Sequence, residues 1–343
     1  MVERSVAYTE KAIPNRWFHM KAALCKRLDG PSALVIEELS APQAAPGEVV
    51  VRVRAAALNF FDTLITRGKY QHKPELPFSP SGEIAGVVET VGTGVTDLVA
   101  GTRVACYLGW GGAREQVAVP VSACVPIPDG VDDTIASGIA ITYGTAIHGL
   151  RDRAHLKPGE TVAVLGASGG AGLAAVEIAK LIGARVIAVA SSSEKLAVAE
   201  AHGADVLIDY AAGDLKSSLK SATDGKGVDV IYDCVGGPHV EPALRAIAWQ
   251  GRYLVVGFAA GEIPKLALNL VLLKGCDVLG VFWGNSVKRD PAGHRKNMKD
   301  LLAWIAEGRL KPRIHGTFPL SEIADAIGIL DRREAVGKVV LTL

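Results

Sequence analysis

The stretch Thr161-Val-Ala-Val-Leu-Gly-Ala-Ser-Gly-Gly-Ala-Gly172 decides how this chain is read. Thr161–Ala167 is a continuous apolar run, the pattern of a strand buried on both faces. It leads directly into Gly166–Gly172 and then into Ala171–Ile182, whose Ala and Leu spacing reads as a helix. A strand, a tight glycine turn and a helix in this order are what a dinucleotide pyrophosphate needs. Glycine lets the backbone approach the phosphates, and the free N–H groups of the opening helix turn meet their charge. Gly166, Ser168, Gly169, Gly170, Ala171 and Gly172 are therefore the predicted phosphate-binding residues. The alternative is a glycine turn that only lets helix and strand pack closely.

Downstream, the βα alternation continues. Strands are predicted at Arg185–Ala190, Val206–Ile208, Val228–Asp233, Arg252–Val256 and Val278–Phe282, with helices at Glu194–His202, Leu215–Ala222 and Val240–Ile247. Such alternation indicates a doubly wound parallel sheet with helices on both faces. Upstream, residues 20–140 carry short apolar runs separated by turn signals such as Pro46-Gly47 and Gly92-Thr-Gly94, the texture of a compact β-rich unit. Residues 293–343 return to mixed α/β and end in the strand Lys338–Leu343. The fold class is α/β, with a nucleotide domain (143–283) inserted into a β-rich domain (20–142 and 284–343). Residues 1–19 read as an extension without functional signal.

The end of the second strand bears on the cofactor. A dinucleotide site for NAD places Asp or Glu there to hold the ribose 2′-hydroxyl. This strand ends in Ser191-Ser-Ser193, with Ser191, Ser192 and Lys195 as the candidate groups. Small hydroxyls and a cation suit a 2′-phosphate, which favours NADPH. Glu194 argues the other way, but at a helix start it can simply favour the dipole. Lys195 can equally be a solvated helix lysine. Tyr210 falls at the carboxyl edge of the sheet, as an adenosine-side residue or an edge aromatic. Val235, in Asp233-Cys-Val-Gly-Gly237, and Gly257 and Phe258 fall at strand ends beside the nicotinamide half. Gly236 and Gly237 can equally be plain turn residues.

Composition excludes other classes. The 343 residues are 49% hydrophobic and 21% charged with a formal net charge of +1, which gives no basic stripe for a nucleic acid. Five scattered cysteines without a CxxC pair suggest neither a disulfide framework nor a structural zinc lobe, and fit reduced thiols of a cytoplasmic protein. No apolar stretch is long enough to span a membrane.

Several segments together resemble the medium-chain dehydrogenases/reductases, in the zinc-free quinone oxidoreductase branch that includes zeta-crystallin. They are Ala57-Leu-Asn-Phe-Phe-Asp62, Arg67-Gly-Lys-Tyr70, Gly82-Glu-Ile-Ala-Gly-Val-Val88, Ala100-Gly-Thr-Arg-Val104 and Gly166–Gly172. Val230–Gly237, Gly251–Phe258 and Gly337-Lys-Val-Val-Leu341 complete the match over residues 20–343. The resemblance implies a GroES-like catalytic domain, a Rossmann domain and a homodimer joined through the edge strand Val278–Phe282. Where zinc alcohol dehydrogenases carry a metal cysteine and a Gly-His-Glu segment, this chain has Asn59 and Ser81-Gly-Glu83, so no metal is expected.

Without a Lewis acid, reduction of an electrophilic acceptor is easier than alcohol oxidation. The reaction expected is hydride transfer from NADPH to a quinone. Activated alkenes, enones or enoyl thioesters, are the alternative acceptors, and an NADPH-binding protein with little turnover is an alternative of another class. By resemblance, Asn59 lines the cleft and offers its amide to the substrate oxygen, or else caps its loop. Asp62 orients that loop. Tyr70 is a wall residue or a proton donor. Tyr143 is a cleft residue, Thr142 touches the cofactor, and Phe282 and Trp283 form an apolar wall or simply pack.

Overall fold

The computed structural model describes residues 19–343. The extension expected at 1–19 therefore lies, His19 apart, outside the described residues, and His19 opens the first strand, His19–Leu24.

Strand Thr161–Leu165 is the centre of a six-stranded sheet. Its order is Val206–Asp209, Arg185–Ala190, Thr161–Leu165, Val228–Asp233, Ile247–Val255 and Asp277–Gly280, all pairs parallel. The buried run of Thr161–Leu165 follows from its position. Val162 and Val164 pack into one core with Leu173, Ala174 and Val176 of the helix Gly170–Ile182. Ala163 and Leu165 point to the opposite core, with Leu219, Ala243 and Leu244. A strand covered on both faces carries no polar side, and each fully buried aliphatic side chain contributes about 1.5–3 kcal/mol. Strand order reverses between Thr161–Leu165 and Val228–Asp233. The crevice at the carboxyl ends of these two strands is where such sheets take their ligands.

The second sheet has seven strands. Ile314–Pro319, Lys338–Thr342, Glu48–Leu58, Glu83–Val91, Arg103–Tyr107 and Cys124–Pro126 run in that order, and Gln116–Pro120 pairs with the first half of Glu48–Leu58. Lys338–Thr342 returns from the far end of the sequence to lie antiparallel to Glu48–Leu58. Its first residues also touch the other sheet's loop: Gly337 bridges Gly169, and the Gly337 N–H donates to the Ser168 carbonyl at 3.2 Å.

Several elements differ from the sequence reading, among them the strand expected at Arg252–Val256, which runs from Ile247 to Val255 and takes the end of the helix expected at Val240–Ile247. The strand expected at Val278–Phe282 is Asp277–Gly280, so Phe282 lies beyond it, at the start of the helix Trp283–Arg289. The helix Leu268–Lys274 lies where none was expected. The helix Pro291–Ala306 buries Met298, Leu301 and Leu302 in a core shared with strands of both sheets, so packing draws no sharp line at residue 283. Among the described residues, no helix is long and apolar enough to cross a membrane.

Candidate active site

The glycine loop has the geometry of a phosphate cradle. Gly166 takes a φ of +76°, which costs a non-glycine residue free energy. A Cβ on Gly172 would stand 2.1 Å from the Gly166 carbonyl oxygen, so only glycine lets the helix start this close to the strand. The N–H groups of Gly170, Ala171 and Gly172 have no partner among the described residues. Three orphan donors at the start of a 13-residue helix, at the sheet's switch point, fit a pyrophosphate. The Thr142 methyl lies 3.4 Å from where a Gly170 Cβ would stand, beside the loop, while its hydroxyl donates to the Gly138 carbonyl.

Ser191 and Lys195 meet beyond the second strand. Lys195 Nζ donates to Ser191 Oγ at 3.4 Å and to the Arg333 carbonyl at 3.3 Å, while Ser192 caps the helix at the Lys195 N–H. Arg333, which the sequence did not single out, thus joins this corner from the other sheet's side of the chain. Its φ of +59° marks the tight turn that brings it there. Tyr210 packs on His239 with ring centroids 4.3 Å apart. At the carboxyl end of the strand Val228–Asp233, Asp233 organises the turn. Its Oδ1 accepts from the N–H groups of Val235 and Gly236, its Oδ2 from the Tyr253 hydroxyl, and its carbonyl from the Gly257 N–H. Phe258 leans over Gly236, where a Cβ would meet its ring at 2.9 Å.

Below the cleft lies a charge network that the sequence did not reveal. Lys338 and Glu83 are both buried and form an ion pair at 2.8 Å. Lys338 Nζ also donates to Asn59 Oδ1 at 2.6 Å and to the Leu58 carbonyl. Asn59 Nδ2 donates to Glu83 Oε1 at 2.9 Å, and the Ile141 N–H donates to Glu83 Oε2. Every ammonium proton of Lys338 has an acceptor, the condition under which a buried pair is tolerated. Asn59 thus spends its carbonyl and one amide proton inside the protein and keeps one proton free. Glu83 and Lys338 each open a strand, a position that a surface charge can also occupy, so the sequence carried no distinguishing signal.

Asp62 is fully buried beside this network. It accepts the N–H of Asn59 at 2.8 Å and of Ser81 at 2.9 Å, which ties the two loops together. Burial pushes its carboxyl up to about 7, against the pull of those hydrogen bonds and of Lys338.

Rings form the walls of the cleft. Phe61 stacks on Tyr70 at 5.3 Å, Tyr70 meets His72 edge-on at 5.9 Å, and His72 stacks on Phe282 at 5.8 Å and approaches Trp110 at 6.3 Å. Phe282 is 47% exposed, and it carries this wall across from the nucleotide sheet. Trp283 is instead buried, packed against Gly144 and Tyr107, so it supports the wall from behind. Tyr143 does not reach the cleft. It lies on the inner side of the helix Ile139–Ile147 and donates to Glu177 Oε2 at 2.6 Å, deep in the core. That overturns the cleft placement implied by resemblance, because the helix phase turns residue 143 toward the helix Gly170–Ile182.

Comparison with known proteins bears on the family and the fold. The profile of the Zinc-binding dehydrogenase family matches residues 170–307, and that of the Alcohol dehydrogenase GroES-like domain matches 45–129. A "Quinone oxidoreductase-like protein 2 homolog" of Nematostella vectensis is 41% identical over 94% of this chain and 88% of its own length. A "Quinone oxidoreductase" of Rattus norvegicus is 30% identical over 94% and 98%. Among solved structures, a probable oxidoreductase from Mycobacterium abscessus superimposes with a TM-score of 0.85 at 36% identity, over 95% of this chain and 99% of its own. A mycobacterial protein solved in complex with NADPH gives 0.88 at 28% identity, over 94% and 100%. The chain belongs to the medium-chain dehydrogenases/reductases, in their quinone oxidoreductase branch. It is an oxidoreductase that uses a nicotinamide cofactor and acts on a small molecule.

Proposed function

We propose that the chain is an NADPH-dependent quinone reductase that works without zinc. The observation that carries this reading is the buried Lys338–Glu83–Asn59 network. By resemblance, Asn59 and the Ser81–Glu83 segment stand where zinc-dependent relatives carry metal ligands, and Lys338 reaches both Asn59 and Glu83. An ammonium group already takes up the carboxylate and amide oxygens there, and no thiolate or imidazole belongs to the set, so the donors do not suit Zn²⁺.

The cofactor supplies a hydride. The protein's own residues do the rest. Gly170, Ala171 and Gly172 hold the pyrophosphate through their N–H groups, and Ser191 and Lys195 take the 2′-phosphate as a charge-assisted pair. Asp233 keeps Val235 and Gly257 in register along the nicotinamide side. Phe61, Tyr70, His72, Trp110 and Phe282 exclude water and stack a planar ring system. Asn59 directs its remaining amide proton at the acceptor oxygen, and Lys338 and Glu83 fix the amide's orientation. A reduced quinone is a stabilised anion that takes its proton from water, so this reaction makes no demand for a dedicated acid.

The phenols of Tyr70 and Tyr107 favour a second reading, alkene reduction, in which an enolate must be protonated. NADPH oxidation after extensive chelation, scanned over quinones, enones and enoyl thioesters, tests both. Turnover with quinones at undiminished rate after chelation is expected. Rates restored only by Zn²⁺ would overturn metal independence. Flat rates on every acceptor despite NADPH binding would leave a binding protein with little turnover.

We also propose a homodimer joined at the strand Asp277–Gly280. That strand has one partner, and Trp249, Leu268, Leu272 and Leu273 stand exposed near it. Light scattering that gives a monomer at micromolar concentration would refute it.

A further inference from the structure

We propose that Tyr107 is a hydrogen-bond and proton donor to the acceptor oxygen, a part not assigned to it by the sequence. The proposal rests on the reductase reading above. Tyr107 ends the strand Arg103–Tyr107 and stands directly opposite Glu83 in the antiparallel pair, so both side chains leave the same face of the sheet. Glu83 holds the Asn59 amide. The ring of Tyr107 packs edge-on against Trp283 at 4.6 Å, and a Cβ on Gly284 would lie 2.9 Å from its hydroxyl oxygen. The phenol thus spans from the Asn59 network to the segment that carries Phe282 and Trp283.

Two further observations point to an external partner. Among the described residues, the Tyr107 hydroxyl has no hydrogen-bond partner, yet it is not among the buried atoms sealed from solvent. Its neighbourhood also keeps it protonated: burial, with Tyr70 and Glu83 close by, pushes the phenol up to about 12. A half-buried donor with no protein acceptor, placed between Gly284 and the Tyr70 and Glu83 side of the site, is available to a ligand oxygen.

The β-carbon of an enone takes the hydride pair, the alkene π pair becomes a double bond between the α-carbon and the carbonyl carbon, and the carbonyl π pair moves onto the oxygen. That oxygen takes the Tyr107 proton. The tyrosinate regains a proton from water, and the enol tautomerises. NADPH, enone and one proton become NADP⁺ and the saturated ketone. With a quinone, Tyr107 donates the same hydrogen bond, but water can supply the proton.

Tyr107→Phe removes only the hydroxyl, so the fold and NADPH affinity should not change. Turnover of 2-cyclohexenone should fall roughly 100-fold, whereas menadione turnover should fall less than about threefold. Binding of 1-naphthol to the NADP⁺-loaded protein, read by tryptophan fluorescence, should weaken roughly 3- to 10-fold. Gly284→Ala, which crowds the hydroxyl without removing it, should weaken naphthol binding in the same direction. Equal naphthol affinity in wild type and Tyr107→Phe would overturn the proposal. If the wild type reduces neither acceptor, the reductase reading fails. The naphthol measurement then still decides whether Tyr107 faces a ligand oxygen.

Discussion

Gly172→Ala is the sharpest test of the phosphate cradle. The added Cβ would stand 2.1 Å from the Gly166 carbonyl oxygen and 2.8 Å from both the Gly166 carbonyl carbon and the Ala167 Cα. All three are backbone atoms, which cannot swing aside as a side chain can. Separations under 3.0 Å are essentially never seen for a Cβ, so the loop must retreat by at least 0.9 Å, the gap between 2.1 and 3.0 Å. An N–H···O bond is made over only about 2.7–3.2 Å, and a retreat of that size breaks it. Losing two of the three charge-assisted bonds from Gly170, Ala171 and Gly172, at about 1.5–3 kcal/mol each, amounts to about 3–6 kcal/mol. The NADPH dissociation constant should therefore rise by roughly 10²- to 10⁴-fold. Overpacking against the strand should also cost about 1–3 kcal/mol of stability. The assay is NADPH fluorescence titration alongside thermal melts. Gly213→Ala serves as the control, since a Cβ there meets nothing within 4 Å. If Gly172→Ala binds NADPH within threefold of wild type, the loop does not hold the phosphates as described.

Lys195→Ala should raise the NADPH dissociation constant about tenfold and leave NADH binding nearly unchanged, the partial exposure of the site reducing a larger unscreened effect; equal losses for both cofactors would refute the 2′-phosphate role. Lys338→Met leaves Glu83 as a buried, unpaired carboxylate and should cost about 3–5 kcal/mol in urea unfolding, much of it regained in a Lys338→Met/Glu83→Gln double variant. A loss that the double variant does not recover would mean that the pair is not the source. Asp62 predicts a pH dependence. Its carboxyl titrates near 7 when folded and about 3.9 when unfolded, so the folded state holds its proton more tightly. Its contribution to stability is full below the unfolded value and is lost as pH rises through 7. The melting temperature should decline from about pH 4 to 7 and level off above that, and Asp62→Asn should flatten the decline; an unchanged slope would show that Asp62 is ionised throughout.

The nucleotide sheet was legible in the sequence because its signals are local. An apolar run such as Val162–Leu165 must be covered on both faces, and Gly166–Gly172 states its own geometry within seven residues. The acceptor side was less legible because register, not local pattern, makes it. Glu83 meets Lys338 across 255 residues, and Tyr107 meets Glu83 only through antiparallel pairing. Nothing near Lys338 in sequence distinguishes it from a surface lysine that opens a strand. Tyr143 was misplaced for a related reason. The helix Ile139–Ile147 carries no charged residue to mark a solvent face and so set its phase, so resemblance alone aimed the phenol, and the core aimed it elsewhere.

The strand Lys338–Thr342 gives the molecule an order of assembly. It supplies the cation under Asn59, the neighbour of the glycine loop and the strand that joins Ile314–Pro319 to Glu48–Leu58 in the seven-stranded sheet. On the ribosome, the nucleotide sheet can close before this strand has been made, because all six of its strands come earlier in the chain. The acceptor side cannot. A nascent chain can thus hold a cofactor loop while it still lacks any place to spend the hydride. On the reductase reading proposed above, an acceptor is reduced only after this strand has joined the two sheets.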